Sequence, residues 1–474
     1  MAAPAPVAEP VPASAPEPTP APSLDDGVTI EKRQILGGLL GGVLSGVDSG
    51  LGSLLGEIES AVAAQNPAAI NSALIQIVAT SRPTNIADAS ARASAVWASP
   101  TARTDFYLAV ASQIATGLGP LLDGTLTSIV TGGIADGENS ISNNNPVIRN
   151  VYNIEGDAPY SLTEDALRKA IYIPSSFSYG SDNKRPVIMV PGTGAYGGFN
   201  FGSNLRKLLQ GQWFADPVWL NIPGAMLDDA QKNAEYVAYA INYISALSRS
   251  NKNNLAVVSW SQGGLDTQWA FKYWPSTRKL VQDFLPVSPD FRGTVLANLL
   301  CLAPNSDTNM DPLCPPSVVQ QEATSNYVAR LRSGGGDSAY VPTTTFYSSF
   351  FDEIVEPQQG TGASAYMLDA RQVGVSNIEV QAVCAGRLGG SFYDHAGVLF
   401  NPLTFALIVD ALTHDGPGNV GRLHLASVCS LYAAPGLGLD DVIATQALIP
   451  IAGVALLAYA DKRSAEPAVV SYAQ

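Results

Sequence analysis

The chain has 474 residues, 46% of them hydrophobic, and carries 26 lysines and arginines against 41 aspartates and glutamates for a formal net charge of −15. That length and apolar content can bury a large core and leave room for two or three structural units. The acidic balance disfavours nucleic acid and anionic membrane surfaces as partners, and no basic patch offsets it.

Residues 1 to 23 are rich in alanine and proline, which cannot build a core, so the segment to residue 27 reads as disordered or polyproline-like. It lacks the apolar stretch of a signal peptide; the expectation is a secreted chain whose signal has been removed, against a cytosolic chain with free cysteines. Lys32-Arg33 follows at a place suited to a processing protease of the secretory pathway, although Lys184-Arg185 and Lys462-Arg463 repeat the dipeptide elsewhere. Next, Leu36, Leu40, Val43, Val47, Leu51, Leu54 and Ile58 recur at spacings of three and four, with Gly38, Gly42, Gly46 and Gly50 beside them. This pattern predicts an amphipathic helix with a small-residue stripe. Each glycine costs such a helix about 1 kcal/mol, so the stripe must gain by close packing on another helix or on lipid. Asp48, Glu57 and Glu59 argue against a membrane span. Helical periodicity from Ala68 to Val78 and from Phe106 to Val130 completes an all-α region ending at a polar linker, Asn143 to Pro146. The organisation expected is a disordered segment over 1–33 that is a candidate propeptide, a helical region over 34–150 and a catalytic unit over 151–474. The helical region reads as a pro-domain, a lipid-contacting cap or an extension packed on that unit.

Arg185 to Val190 predicts a buried strand running into a glycine-rich loop, Pro191 to Gly198, whose amides can approach a substrate oxygen. A phosphate-cradling loop is the competitor, but no Gly-Lys-Ser/Thr and no GxGxxG in frame supports it. The run from Leu255 to Leu265 then reads as a strand, a sharp turn at Ser261 and a helix. With Ser259 two before and Gly263 two after, Ser261 sits in the pattern of a nucleophile elbow, and an ordinary strand-to-helix turn is the alternative. A triad of that type continues with an acid and then a histidine. Downstream, the strand-like run Thr343 to Phe350 ends at Asp352, the preferred acid, with Glu353 a near competitor, Asp369 a weaker one and Asp394 better read as a loop carboxylate. The chain's three histidines are His395, His414 and His424. His395 follows the strand candidate Val380 to Cys384 in a turn-like segment suited to orienting a base, whereas His414 and His424 read as surface residues.

Four cysteines, Cys301, Cys314, Cys384 and Cys429, lack the close double pairs of a zinc site and suit two disulfides in an oxidising compartment. No metal or organic cofactor is expected. Ile443 to Tyr459 is almost wholly apolar but interrupted by Gln446, Pro450 and Gly453, and falls short of a comfortable membrane span. The charged tail after Asp461 excludes a lipid-anchor signal of the hydrophobic-tail type.

In order, Val190-Pro-Gly-Thr-Gly194, Trp260-Ser-Gln-Gly-Gly264, Ser288-Pro-Asp-Phe-Arg-Gly-Thr294, Val341-Pro-Thr-Thr344, Asp352-Glu-Ile-Val355, Gln381-Ala-Val-Cys384 and Asp394-His-Ala-Gly397 resemble the motifs of the fungal lipases typified by Candida antarctica lipase B. The resemblance covers roughly residues 159 to 460. It implies an α/β-hydrolase fold, here preceded by the all-α region, with Ser261 as nucleophile, His395 as general base and acid, and Asp352 orienting the imidazole. It also implies an oxyanion hole from the amide and hydroxyl of Thr193 and the amide of Gln262. Asp290, Gln321 and Trp260 match residues lining that family's substrate pocket, and Ala195 and Asn200 stand where the family carries small polar residues, which bears on substrate preference. The resemblance pairs Cys384 with Cys429, leaving Cys301 with Cys314, a bridge that the family member does not have. The apolar helix near the C-terminus would form one wall of the cleft.

The function so implied is a secreted carboxylic-ester hydrolase, lipase or esterase, working through an acyl-enzyme and open to transesterification. Its partner is a lipid or small ester, met through transient contact at a lipid interface. A non-catalytic binding protein on the same scaffold, or an acyltransferase or peptidase with the same triad, is the alternative. Since no catalytic candidate precedes residue 193, a chain beginning near Tyr152 is expected to fold and to hydrolyse short soluble esters.

Overall fold

A computed structural model describes residues 49–79, 81–97, 103–121, 124–131, 135–181, 184–248, 253–301 and 314–474. The Pro/Ala-rich segment, Lys32-Arg33, and the part of the first predicted helix that carries Gly38, Gly42 and Gly46 lie outside the described residues.

A seven-stranded sheet organises the chain in the order β1-β3-β2-β4-β5-β6-β7. The strands are β1 Ile171–Tyr172, β2 Arg185–Val190, β3 Ala215–Leu220, β4 Leu255–Trp260, β5 Val281–Val287, β6 Thr343–Tyr347 and β7 Val375–Glu379. All neighbours pair in parallel except β1 with β3. A parallel sheet covered by helices on both faces needs strands that are apolar throughout, and every residue of β2, β3 and β4 is buried. Alternation then sorts the faces. Ile188, Val190, Val218 and Val257 pack toward the helices Ala230–Leu247 and Gln262–Tyr273, while Val187, Met189, Trp219 and Val258 share a cluster with the helix Pro402–Thr413.

That second cluster continues without a break into the helical first third. Leu51, Ile58, Ile70, Leu74, Tyr107, Val110 and Ile114 belong to it together with Leu448, Ile449, Val454 and Leu457 of the C-terminal helix Leu448–Ala458. Side chains also cross: Asn71 Nδ2 donates to the Val454 carbonyl at 3.3 Å, and Gln113 Nε2 to the Gln446 carbonyl at 2.8 Å. Together with the preceding helix Leu439–Gln446, the C-terminal helix makes a 20-residue stretch apolar enough by composition to cross a membrane, but 78% of its most apolar window is buried in the fold. Burial from both sides accounts for apolar residues all round it.

Several elements differ from the sequence expectation. The helix predicted from Ala68 spans Pro67–Leu74 and stops before Val78. The one expected over 106–130 is three pieces, Arg103–Gln113, a π-helical turn Ile114–Leu118 and Thr125–Val130. It breaks because Gly117 takes φ 78°, with a virtual Cβ 2.3 Å from the Ser81 carbonyl, and because Gly119-Pro120 follows. The strand expected at Val380 to Cys384 lies one element earlier, over Val375–Glu379; Val380–Val383 is a helical turn. There Gln381 accepts from Ser349 N and donates to Ser348 Oγ and to the Ser391 carbonyl, and these bonds hold the turn against the end of β6. Finally, Asn143 and Asn145 form no free linker: their amides donate to the carbonyls of Lys169 and Ile171, and of Arg168 and Ile171.

Candidate active site

The end of β4 positions the first residue of the site. Ser261 has φ 54° and ψ −130°, its N–H bonds to the Val287 carbonyl of β5 at 2.9 Å, and the helix Gln262–Tyr273 begins at the next residue. A non-glycine residue holds such a φ only where surrounding contacts over-determine it. The strand, turn and helix pass so closely that a Cβ on Gly263 would lie 2.5 Å from the carbonyls of Val190 and Pro191. At position 263, therefore, the pattern's small residue is a steric requirement.

His395 and Asp352 meet at the same end of the sheet. His395 Nδ1 stands 2.9 and 3.0 Å from the two Asp352 oxygens, both residues being buried, and His395 Nε2 has no hydrogen-bond partner. Asp352 is itself fixed by the N–H groups of Ile354 and Val355. The indole of Trp260 lies 5.0 Å from the imidazole, centroid to centroid, and its Nε1 donates to the His395 carbonyl at 3.2 Å. The competing acids go elsewhere. Glu353 accepts from the His395 backbone N–H, Asp394 from Gly397 N and Gln446 Nε2, and Asp369 from Val373 N and Gly374 N in its own loop. His414 is half-exposed beside Asp410, and His424 precedes the short helix Leu425–Val428.

The loop after β2 faces this group. Thr193 Oγ1 has two acceptors within reach, Gln262 Oε1 at 2.7 Å and Gln321 Oε1 at 3.1 Å. Gln262 Oε1 also accepts from Gln321 Nε2, and Gln262 Nε2 donates to the Met226 carbonyl and to Asp266. Its side chain is thus held within the protein while its backbone N–H opens a helix. Asn200 supports the loop from below, accepting the Gly192 N–H at 2.8 Å. On the other side the C-terminal helix abuts the loop, since a Cβ on Gly194 would lie 2.7 Å from Ala452 Cα. Asp290 is fully buried with neither carboxyl oxygen hydrogen-bonded, and burial pushes its carboxyl up to about 7. Asp394 is the backbone-bonded loop carboxylate expected from sequence, through Gly397 N, whereas the supporting roles of Asp266, Glu353 and Gln446 have no local sequence signal, because nothing in their pattern marks which partner they reach.

Disulfides join Cys301 to Cys314 and Cys384 to Cys429, with Cα–Cα separations of 5.6 and 5.3 Å; residues 302–313, inside the first bridge, lie outside the described residues. The described residues contain no cluster of metal-ligating side chains.

A mostly parallel sheet with helices on both faces, a strained serine at the strand-to-helix turn and a buried His-Asp pair packed on the preceding Trp260 are the features of an α/β-hydrolase. No family model matches the chain. Lipase B of Pseudozyma antarctica is 36% identical over 320 residues, 67% of this chain and 85% of that protein. The crystal structure of Aspergillus fumigatus lipase B superposes with a TM-score of 0.75 at 44% identity, covering 93% of this chain and all of that one. The chain belongs to the lipase B family and is a hydrolase of carboxylic esters.

Proposed function

We propose that the protein is a secreted lipase or esterase in which Ser261, His395 and Asp352 act as one catalytic unit. The observation that carries this is the buried His395–Asp352 pair, bonded through Nδ1 to both carboxylate oxygens and leaving Nε2 as the free ring nitrogen. Asp352 holds the tautomer with its proton on Nδ1 and stabilises the imidazolium that forms. Nε2 then takes the Ser261 hydroxyl proton as the oxygen attacks the ester carbonyl, and returns it to the leaving alcohol. The negative charge on the former carbonyl oxygen is met by the N–H groups of Gln262 and Thr193, and by the Thr193 hydroxyl after it turns from Gln262 Oε1. Each such donor contributes about 3 kcal/mol in the transition state. Water completes hydrolysis of the acyl-enzyme; a second alcohol gives transesterification.

Trp260, Asp290 and Gln321 are assigned to substrate contact, with the helix Leu448–Ala458 as an apolar wall. Secretion accords with the two disulfides, which persist in an oxidising compartment. Residues 1–33 are assigned as a candidate propeptide and 151–474 as the catalytic part of the chain, on which the described helices between residues 49 and 130 pack through a shared core. A fluorophosphonate probe tests the assignment: the label should map to Ser261 and disappear in Ser261→Ala and His395→Ala. Labelling at another serine, or none in the folded wild-type protein, overturns it.

A further inference from the structure

Behind His395 lie two carboxyls that the proposed chemistry does not use. Glu353 is buried, and its Oε2 accepts the His395 backbone N–H at 2.8 Å. Asp394 is buried completely, and its Oδ1 accepts from Gly397 N at 2.7 Å and from Gln446 Nε2 at 2.9 Å. The second oxygen of each, Glu353 Oε1 and Asp394 Oδ2, is also buried and has no hydrogen-bond partner. Two ionised carboxylates cannot satisfy one another, because neither carries a donor. A third carboxylate, Asp352, is already on the same histidine. Burial raises both acids, Asp394 to about 6, and the charge of Asp394 raises Glu353 further. A single proton between them would supply the missing donor and remove one of the two buried charges that flank the His395 backbone N–H.

We propose that Glu353 and Asp394 share one proton, carried on Glu353 Oε1 and donated to Asp394 Oδ2, and that this singly charged pair is the positioning element for the His395 backbone. The donors favour Asp394 as the charged partner: it receives full N–H bonds from Gly397 and Gln446, whereas Glu353 receives one from His395 and a weaker contact from its own amide, and donors to a carboxylate favour its charged form. The second donor on Asp394 is held from afar, since the Gln446 carbonyl accepts from Gln113 Nε2 in the first third of the chain. The titratable groups acting on the pair are Asp352, His395 and, on the Asp394 side, Tyr432. Its catalytic consequence rests on His395 being the base; the shared proton does not.

Infrared difference spectra test the proton directly. Wild type minus Glu353→Gln at pH 7.5 should show a protonated-carboxyl band present only in the wild type. No such band, or one lost in Asp394→Asn but kept in Glu353→Gln, overturns the proposal. Gln at 353 replaces the acid O–H by an amide N–H and keeps the net charge of the pair. The acid limb of kcat/KM should therefore move by less than about 0.3 pH in Glu353→Gln, whereas loss of a real charge would move it by about one unit. Should that variant fail to fold, glutamate labelled with carbon-13 in a Glu322→Gln chain, which removes the other glutamate raised to about 8, should still shift a protonated-carboxyl band at pH 7.5; its absence overturns the proposal. Failure of fluorophosphonate to label Ser261 with the band present would remove the triad assignment and leave the shared proton standing.

Discussion

Gln113 and Gln446 are joined by a buried hydrogen bond of 2.8 Å across 333 residues of sequence, from the Gln113 amide to the Gln446 carbonyl. Gln446 in turn donates to Asp394, the neighbour of His395. The helical first third therefore reaches the site's supporting residues, and it covers the apolar helix Leu448–Ala458 as well.

That relationship argues against the expectation that a chain beginning near Tyr152 would fold and work. Such a chain loses Asn71 and Gln113, exposes Leu448, Ile449 and Val454, and loses Glu138, which pairs with Arg206 at 2.7 Å and accepts from Trp219 Nε1 through its carbonyl. A large apolar face left open promotes association. The truncated chain should be recovered mainly as aggregate, with short-ester activity well below the wild type per mole. A monomeric product with wild-type melting and activity would show the region to be dispensable.

Removal of a member of the proposed triad should abolish most of the chemistry. Ser261→Ala and His395→Ala should each lower kcat on a soluble ester by about 10⁵ or more with the fold intact, and Asp352→Asn by about 10⁴. Thr193→Val keeps the amide, so its loss should be smaller, about 10²-fold. Circular dichroism beside the kinetics separates lost chemistry from lost fold. A wild-type rate for Thr193→Val would place that donor outside the oxyanion hole.

Glu322 makes stability depend on pH. Its carboxyl is buried without a hydrogen bond, and burial, helped by the nearby Glu466 charge, raises it from 4.5 to about 8. Because the folded value is raised, its contribution to stability is full below 4.5 and is lost as pH rises through about 8. Glu322→Gln keeps the shape and cannot ionise. It should raise the melting temperature at pH 8.5 by roughly 2–4 °C and leave it nearly unchanged at pH 4. An equal effect at both values would exclude titration of Glu322 as the cause.

The two disulfides should differ in what they contribute. Cys301–Cys314 closes a separation of 13 residues and Cys384–Cys429 one of 45. The chain-entropy model assigns about 3 kcal/mol to the first and about 4 to the second. Serine pairs at each bridge, compared by denaturant unfolding, should rank in that order. Non-reducing peptide mapping of the secreted protein should recover both links, and four alkylatable thiols would contradict the pairing and the secreted assignment together.

The site was legible in sequence wherever chemistry and backbone demands coincide on neighbouring residues. A buried apolar run, a strained serine and a glycine that must admit two carbonyls can be read at Leu255 to Gly264, because each is a local condition. So can the order of serine, acid and histidine, and the scarcity of histidines made His395 the natural choice. Local pattern alone did not decide between Asp352 and Glu353, which sit side by side; only the fold shows the first at the imidazole and the second at the backbone amide. The break at Gly117 and the place of β7 were likewise settled by neighbours distant in sequence, the Ser81 carbonyl and the partner strand β6. The same holds for the first third of the chain. Its helical periodicity marks an apolar face, but periodicity carries no information about what covers that face, and the covering surface is the helix Leu448–Ala458 near the other end of the chain. The ordered motifs, through the family they resemble, thus carried the class of enzyme and the candidates for its reactive residues. Which carboxyl faces which nitrogen, and which helix covers which, are long-range contacts that exist only once the chain has folded.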